Sequence, residues 1–151
     1  MKSSYKILWG ISLVKILLIA FTLIITGCST IKSSDSLYTV YSKYTAAATN
    51  DNNYIKYFNE TITSKVSENN ASQLLFHQYM VKEKEHFTKI NDNIGCLTVN
   101  GVNKSGGPIA FYLKYEFINN QWLISDIDVS FLENVELYRN AALCPDESRV
   151  E

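Results

Sequence analysis

Ile109-Ala110-Phe111-Tyr112-Leu113-Lys114-Tyr115-Glu116-Phe117-Ile118, then Asn119-Asn120-Gln121, then Trp122-Leu123-Ile124-Ser125-Asp126-Ile127-Asp128-Val129-Ser130-Phe131 is the stretch that decides the fold class. Ile109, Phe111, Leu113, Tyr115 and Phe117 recur at every second position, which sets them on one side of an extended strand. Leu123, Ile127, Val129 and Phe131 line one side of a partner strand, and the polar triplet between the strands is a turn. A three-residue loop sets Phe117 opposite Leu123, Leu113 opposite Ile127, Phe111 opposite Val129 and Ile109 opposite Phe131, giving an almost wholly apolar face. The same register sets Lys114 opposite Asp126 and Tyr112 opposite Asp128 on the other face. A two-residue loop would oppose Leu113 to Asp126 and Phe111 to Asp128, so the longer loop is preferred. An apolar sheet face needs a cover, and the polar one reads as the solvated side.

Working upstream, Ile94 to Val102 reads as a strand and Asn103-Lys104-Ser105-Gly106-Gly107 as its connection. Before Asn91-Asp92-Asn93 the period is helical. Leu37, Val40, Tyr41, Tyr44, Ala47 and Ala48 form one amphipathic face, which Asn50-Asp51-Asn52-Asn53 ends. A second helix is expected from Tyr54 to Val66, weakened by Thr61 and Thr63. A third is expected to open at Asn70 with Gln73 as a capping box, carrying Leu74, Leu75, Gln78, Tyr79, Val81 and Phe87, with Lys82-Glu83-Lys84-Glu85 as its solvated face. Helices first and antiparallel strands afterwards give an α+β domain, the N-terminal helices packed on one face of a C-terminal antiparallel sheet.

The chain has 151 residues, enough for one ordinary domain, with 14 basic and 15 acidic side chains. Lys2, Lys6 and Lys15 all lie in residues 1–28, which hold no acid, so the remainder is mildly acidic and has no basic cluster. That excludes nucleic acid as a partner. Those three lysines precede or flank the apolar run Ile16-Leu17-Leu18-Ile19-Ala20-Phe21-Thr22-Leu23-Ile24-Ile25, which is half the roughly 20 residues of a bilayer-crossing helix. A span drawn from Ile7 to Gly27 would hold Lys15 near its middle at a cost of about 2.5 to 3.5 kcal/mol, which favours a cleaved leader.

Ile25-Thr26-Gly27-Cys28 resembles the lipobox of bacterial lipoprotein signal peptides. The resemblance implies cleavage between Gly27 and Cys28, diacylglycerol on the Cys28 thiol, and attachment to the bacterial membrane through N-terminal acyl chains. Ser29 follows the cysteine where an aspartate would favour inner-membrane retention, so the resemblance points to the outer membrane facing the periplasm in a Gram-negative cell, and to the outer face of the plasma membrane in a Gram-positive one. The organisation expected is a signal peptide at 1–27, the lipidated cysteine and a serine-rich tether at 28–36, an α+β domain at 37–144 and a tail at 145–151.

The order of helices then hairpins, with Trp122, Ile124 and Ile127 after a polar turn, resembles the NTF2-like/cystatin-like superfamily. With Cys28 acylated, Cys96 and Cys144 remain as an even pair in an oxidising compartment and are expected to form a disulfide that fastens the tail to the sheet.

No metal or cofactor is implied. His77 and His86 are nine apart rather than at helical-turn spacing, no CxxC occurs, and Gly106-Gly107-Pro108 lacks the lysine of a phosphate loop. His77 reads as a partly buried imidazole and His86 as an exposed one. The candidate ligand pocket is Tyr112, Lys114, Trp122, Asp126 and Asp128. Within it Asp126 and Asp128 share one side of a strand, as a general acid and base would, although the polar face of a half-solvated sheet gives the same alternation. Three functions follow: a non-catalytic envelope module binding a protein or small ligand, a small pocket enzyme using Asp126 and Asp128, or a structural assembly lipoprotein. The first is preferred.

Overall fold

The computed structural model describes residues 35–50, 53–66 and 72–149. The leader, Gly27, Cys28, most of the tether, Asp51-Asn52 and the Asn70 end of the expected capping box lie outside the described residues. Helix α1 (Leu37–Asn50) is followed by a 3-10 turn (Ile55–Tyr57), a single-turn helix α2 (Glu60–Thr63) and a second 3-10 turn (Phe76–Tyr79). Four strands come next: β1 (Lys82–Asn91), β2 (Ile94–Val102), β3 (Pro108–Ile118) and β4 (Gln121–Phe131). They form one open antiparallel sheet in the order β1-β2-β3-β4. A 3-10 turn at Val135–Leu137 and helix α3 (Pro145–Ser148) complete the described chain. The class is α+β. Among the described residues no helix is long and apolar enough to cross a membrane.

The β3–β4 pairing joins two registers. Ile109↔Phe131, Phe111↔Val129, Tyr112↔Asp128, Leu113↔Ile127 and Lys114↔Asp126 pair as the alternation predicts. Beyond Lys114 the register shifts, and Tyr115 pairs with Ile124 and Phe117 with Trp122. The turn is therefore the two residues Asn119-Asn120, both at positive φ (50° and 70°), not three. Ser125 is the residue the bulge absorbs, and it returns both Trp122-Ile124 and Ile127-Val129 to the same face.

Two expected helices are corrected. The stretch Tyr54 to Val66 is broken at Phe58, which is extended and bridges Ile124 in parallel, while Asn59 donates its backbone N–H to the Ile124 carbonyl at 2.9 Å. The Asn59 side chain then caps α2 by accepting from Ile62 N–H at 3.0 Å. The expected third helix is replaced among the described residues by short 3-10 stretches, at 72–74 and Phe76–Tyr79, and its charged continuation is the edge strand β1. Nearly every β1 residue is exposed, and alternating lysine and glutamate there discourage pairing with another chain. A bulge between Glu83 and Glu85 turns Glu83 and His86 toward the helix side of the sheet and Glu85 and Lys89 toward the other.

The core lies between α1 and the sheet. Leu37, Val40, Tyr41 and Tyr44 of α1 pack with Leu97, Val99, Phe111, Leu113, Tyr115 and Ile124. Gly95 lets this helix approach, since a Cβ there would stand 2.6 Å from Leu37 Cδ1. Tyr44 stacks on Phe76 at 4.9 Å and meets the edge of Phe58 at 5.4 Å, and Phe76 meets the edge of Phe111 at 5.2 Å. The Tyr44 hydroxyl donates to the Leu74 carbonyl, and His77, half-buried beside it, is held below the usual imidazole range by loss of water. His86 is exposed and stacks on Tyr38 at 3.7 Å.

Burial raises the hydroxyl pKa of Tyr41, Tyr44 and Tyr115 above the ordinary tyrosine value. Protons held more tightly in the fold than in the unfolded chain cost nothing below about pH 10, where both states keep them. Above it the unfolded chain ionises first. Stability is expected to fall by about 1.4 kcal/mol per pH unit for each such tyrosine, about 4 for the three together. Urea midpoints taken at pH 8, 10 and 11 check this, and a flat profile would show that these hydroxyls ionise in place.

Candidate functional site

The second sheet face is not the solvated side the alternation suggested. After β4 the chain doubles back beneath the sheet as a strap running to Arg149. The Tyr138 hydroxyl donates to the Gly101 carbonyl, Asn100 Nδ2 donates to the Arg139 carbonyl at 2.8 Å, and the Leu143 N–H donates to Thr98 Oγ1 at 2.9 Å. Cys96 and Cys144 lie at disulfide distance, with Cα atoms 5.0 Å apart across a separation of 48 residues. Thr98 and Asn100 are buried as a result.

Helix α3 closes the strap. Glu147 Oε2 accepts the Cys144 N–H at 2.8 Å and Oε1 accepts from Lys89 Nζ at 3.2 Å, which together hold its carboxyl below the usual carboxylate range. Ser148 Oγ donates to Asp128 Oδ2 at 3.1 Å. Arg149 reaches Asp126 at 3.6 Å and Asp128 at 3.7 Å. The two aspartates are thus both engaged by the strap. Tyr112, on the same face, is hydrogen-bonded by the Arg139 side chain, and burial raises its hydroxyl pKa against that influence.

The five residues of the candidate pocket do not converge. Tyr112, Lys114, Asp126 and Asp128 belong to the strap face, whereas Trp122 packs in the helix-side core against Phe117, with ring centres 5.0 Å apart. Because the guanidinium of Arg149 is about half exposed, its pairs contribute little: Arg149→Ala is expected to cost less than about 1 kcal/mol by urea denaturation. A loss several times larger would mean that the strap depends on its last turn.

Among the described residues an open cleft lies elsewhere, along the outer edge of β4. It is a cleft of about 470 Å³ with Ile62, Val66, Leu74, Phe76, Ile127 and Val129 as its apolar wall and Thr61, Lys65, Gln73, Ser125 and Asp126 among its polar groups. Of the sequence-derived pocket residues only Asp126 borders it. The cleft exists because α2 is anchored to one end of β4 through Phe58 and Asn59, while the segment around Phe76 covers the sheet from the other side. Among the described residues no cluster of histidine, cysteine, aspartate or glutamate could hold a metal ion. No protein-family model, curated protein or solved structure matches this chain.

Proposed function

We propose that the chain is a bacterial envelope lipoprotein, processed before Cys28 and held on the outer membrane by acyl chains there, whose α+β domain is a non-catalytic binding module. The observation that carries the binding role is the cleft beside β4, whose volume and mixture of apolar wall and sparse polar groups suit a ligand or a segment of a partner. Ile25-Thr26-Gly27-Cys28 supports the anchor, and the Cys96–Cys144 pairing suits an oxidising compartment. We read the domain as a reduced relative of the NTF2-like/cystatin-like group, on the strength of one helix laid across an antiparallel meander with a cleft at its side.

Site-specific photo-crosslinking in cells tests the binding role. A photoreactive amino acid at Thr61 or Lys65, beside the cleft, is expected to give discrete adducts. The same group at the exposed Asp146, on the strap, is expected to give none. Equal labelling from both places, or none from either, would remove the cleft as the working surface.

A further inference from the structure

We infer that the β4 cleft takes an extended, acidic peptide segment of a partner protein, bound alongside the free part of the β4 edge. The cleft meets a second open cavity, of about 300 Å³, at Tyr79. Between them Tyr79 and Phe131 stand edge to face at 5.9 Å, although they are 52% and 61% exposed. A half-exposed aromatic pair between two hollows is the surface on which protein contacts concentrate binding energy.

Backbone direction supports an extended occupant. The Ile127 N–H is met by its neighbour's Asp126 Oδ1 at 2.9 Å, which identifies Ile127 as a residue whose backbone points off the sheet. By alternation Val129 and Phe131 point the same way. At the other end of β4 the outward Ile124 carbonyl is already taken by Asn59, where the protein's own chain pairs in parallel. Arg149 covers the Ile127 carbonyl at 3.4 Å. That leaves Val129 and Phe131 to hydrogen-bond an added segment, whose alternate side chains would enter the two hollows.

Charge selects the partner's chemistry. Lys65 borders one hollow and Lys104 the other, and neither side chain makes an ion pair or hydrogen bond among the described residues. Asp126, the acidic group among the described residues of the cleft, is matched by Arg149. The groove is therefore locally positive on a domain that is acidic as a whole, and it favours carboxylates at both ends of the bound segment.

This inference rests on the binding role proposed above, and its test separates the two. Full-length lipidated protein in nanodiscs is titrated into a fluorescein-labelled peptide of alternating valine and threonine with glutamate at each end, read by anisotropy. The glutamate-ended peptide is expected to bind at least about tenfold more tightly than a lysine-ended twin, and Lys65→Glu with Lys104→Glu is expected to reverse that order. Val129→Pro, which removes an outward N–H without breaking the pairing to β3, is expected to weaken binding of the glutamate-ended peptide about tenfold. Equal affinity for the two peptides, or no binding of either, overturns the inference. So does displacement by decanoate with affinity unchanged in Val129→Pro, which would assign the groove to a free amphiphile. Cleft-specific crosslinks alongside any of those outcomes would leave the binding role standing and remove the acidic peptide alone.

Discussion

A chain carrying Cys96→Ala and Cys144→Ala is expected to lose about 4 kcal/mol of stability relative to the oxidised protein. The chain-entropy estimate for a loop of 48-residue separation gives that figure, because the cross-link restricts the unfolded ensemble far more than the folded one. A domain of this size has roughly 5 to 15 kcal/mol in all, so the loss is a large share. It also exceeds what the half-exposed Arg149 pairs at the end of the strap contribute. Trp122 fluorescence under urea follows the transition, and a reduced sample of the unaltered chain is expected to track the double variant. Coincident midpoints for oxidised and substituted protein, or free alkylation of both cysteines in non-reducing mass mapping, would end the claim. Both sulfur-bearing residues are under 10% exposed, so reductant is expected to act slowly unless denaturant is present.

Cys28→Ser is expected to have an all-or-none effect on placement rather than on folding. A serine hydroxyl cannot take the diacylglycerol that a thiolate accepts, so processing at Gly27 would stop and leader-bearing or soluble protein would accumulate. One acyl chain holds a protein only marginally, whereas two or three make release negligible, and the change therefore separates anchored from unanchored material with little between. Membrane fractionation and mass spectrometry of the N-terminal peptide read the result. Mature protein with an unmodified Cys28 would refute the anchor. The urea midpoint of the domain is expected to stay unchanged, as a change confined to placement requires.

The β3–β4 hairpin was legible because one of its faces carries the core, with Ile109, Phe111, Leu113 and Ile124 fully buried. A one-residue slip there would carry Phe111 and Leu113 out of the core, so the alternation constrains the pairing from Ile109↔Phe131 to Lys114↔Asp126. It misreads the turn because a bulge at Ser125 lets both registers coexist. The signal that could have shown this is Asn119-Asn120, a pair of residues that tolerate positive φ. Strand β1 was not legible for a different reason. With neither face deeply buried it carries no hydrophobic period, and Lys82-Glu83-Lys84-Glu85 serves a charged edge as well as a helix surface. The helix over Tyr54 to Val66 failed because Phe58 and Asn59 are claimed by Ile124, more than sixty residues away in sequence. Tertiary pairing overrode a weak local preference.

The candidate site was less legible than the fold. Asp126 and Asp128 were identifiable as neighbours on one face, but what covers that face is a strap without periodicity, fixed by Thr98, Asn100 and Cys96 through long-range contacts. The cleft draws its walls from α2, from the segment before β1 and from β4, so no local spacing announces it.

The strap follows every strand in chain order, and this has a consequence for biogenesis. While the polypeptide is being made, the sheet is able to assemble before its underside receives a lining. For that interval the Cys96 thiol stands open to oxidants and to foreign thiols, and the nascent molecule has a vulnerable side. The underside would then be closed in a single fastening event, contributed by a segment made after all four strands.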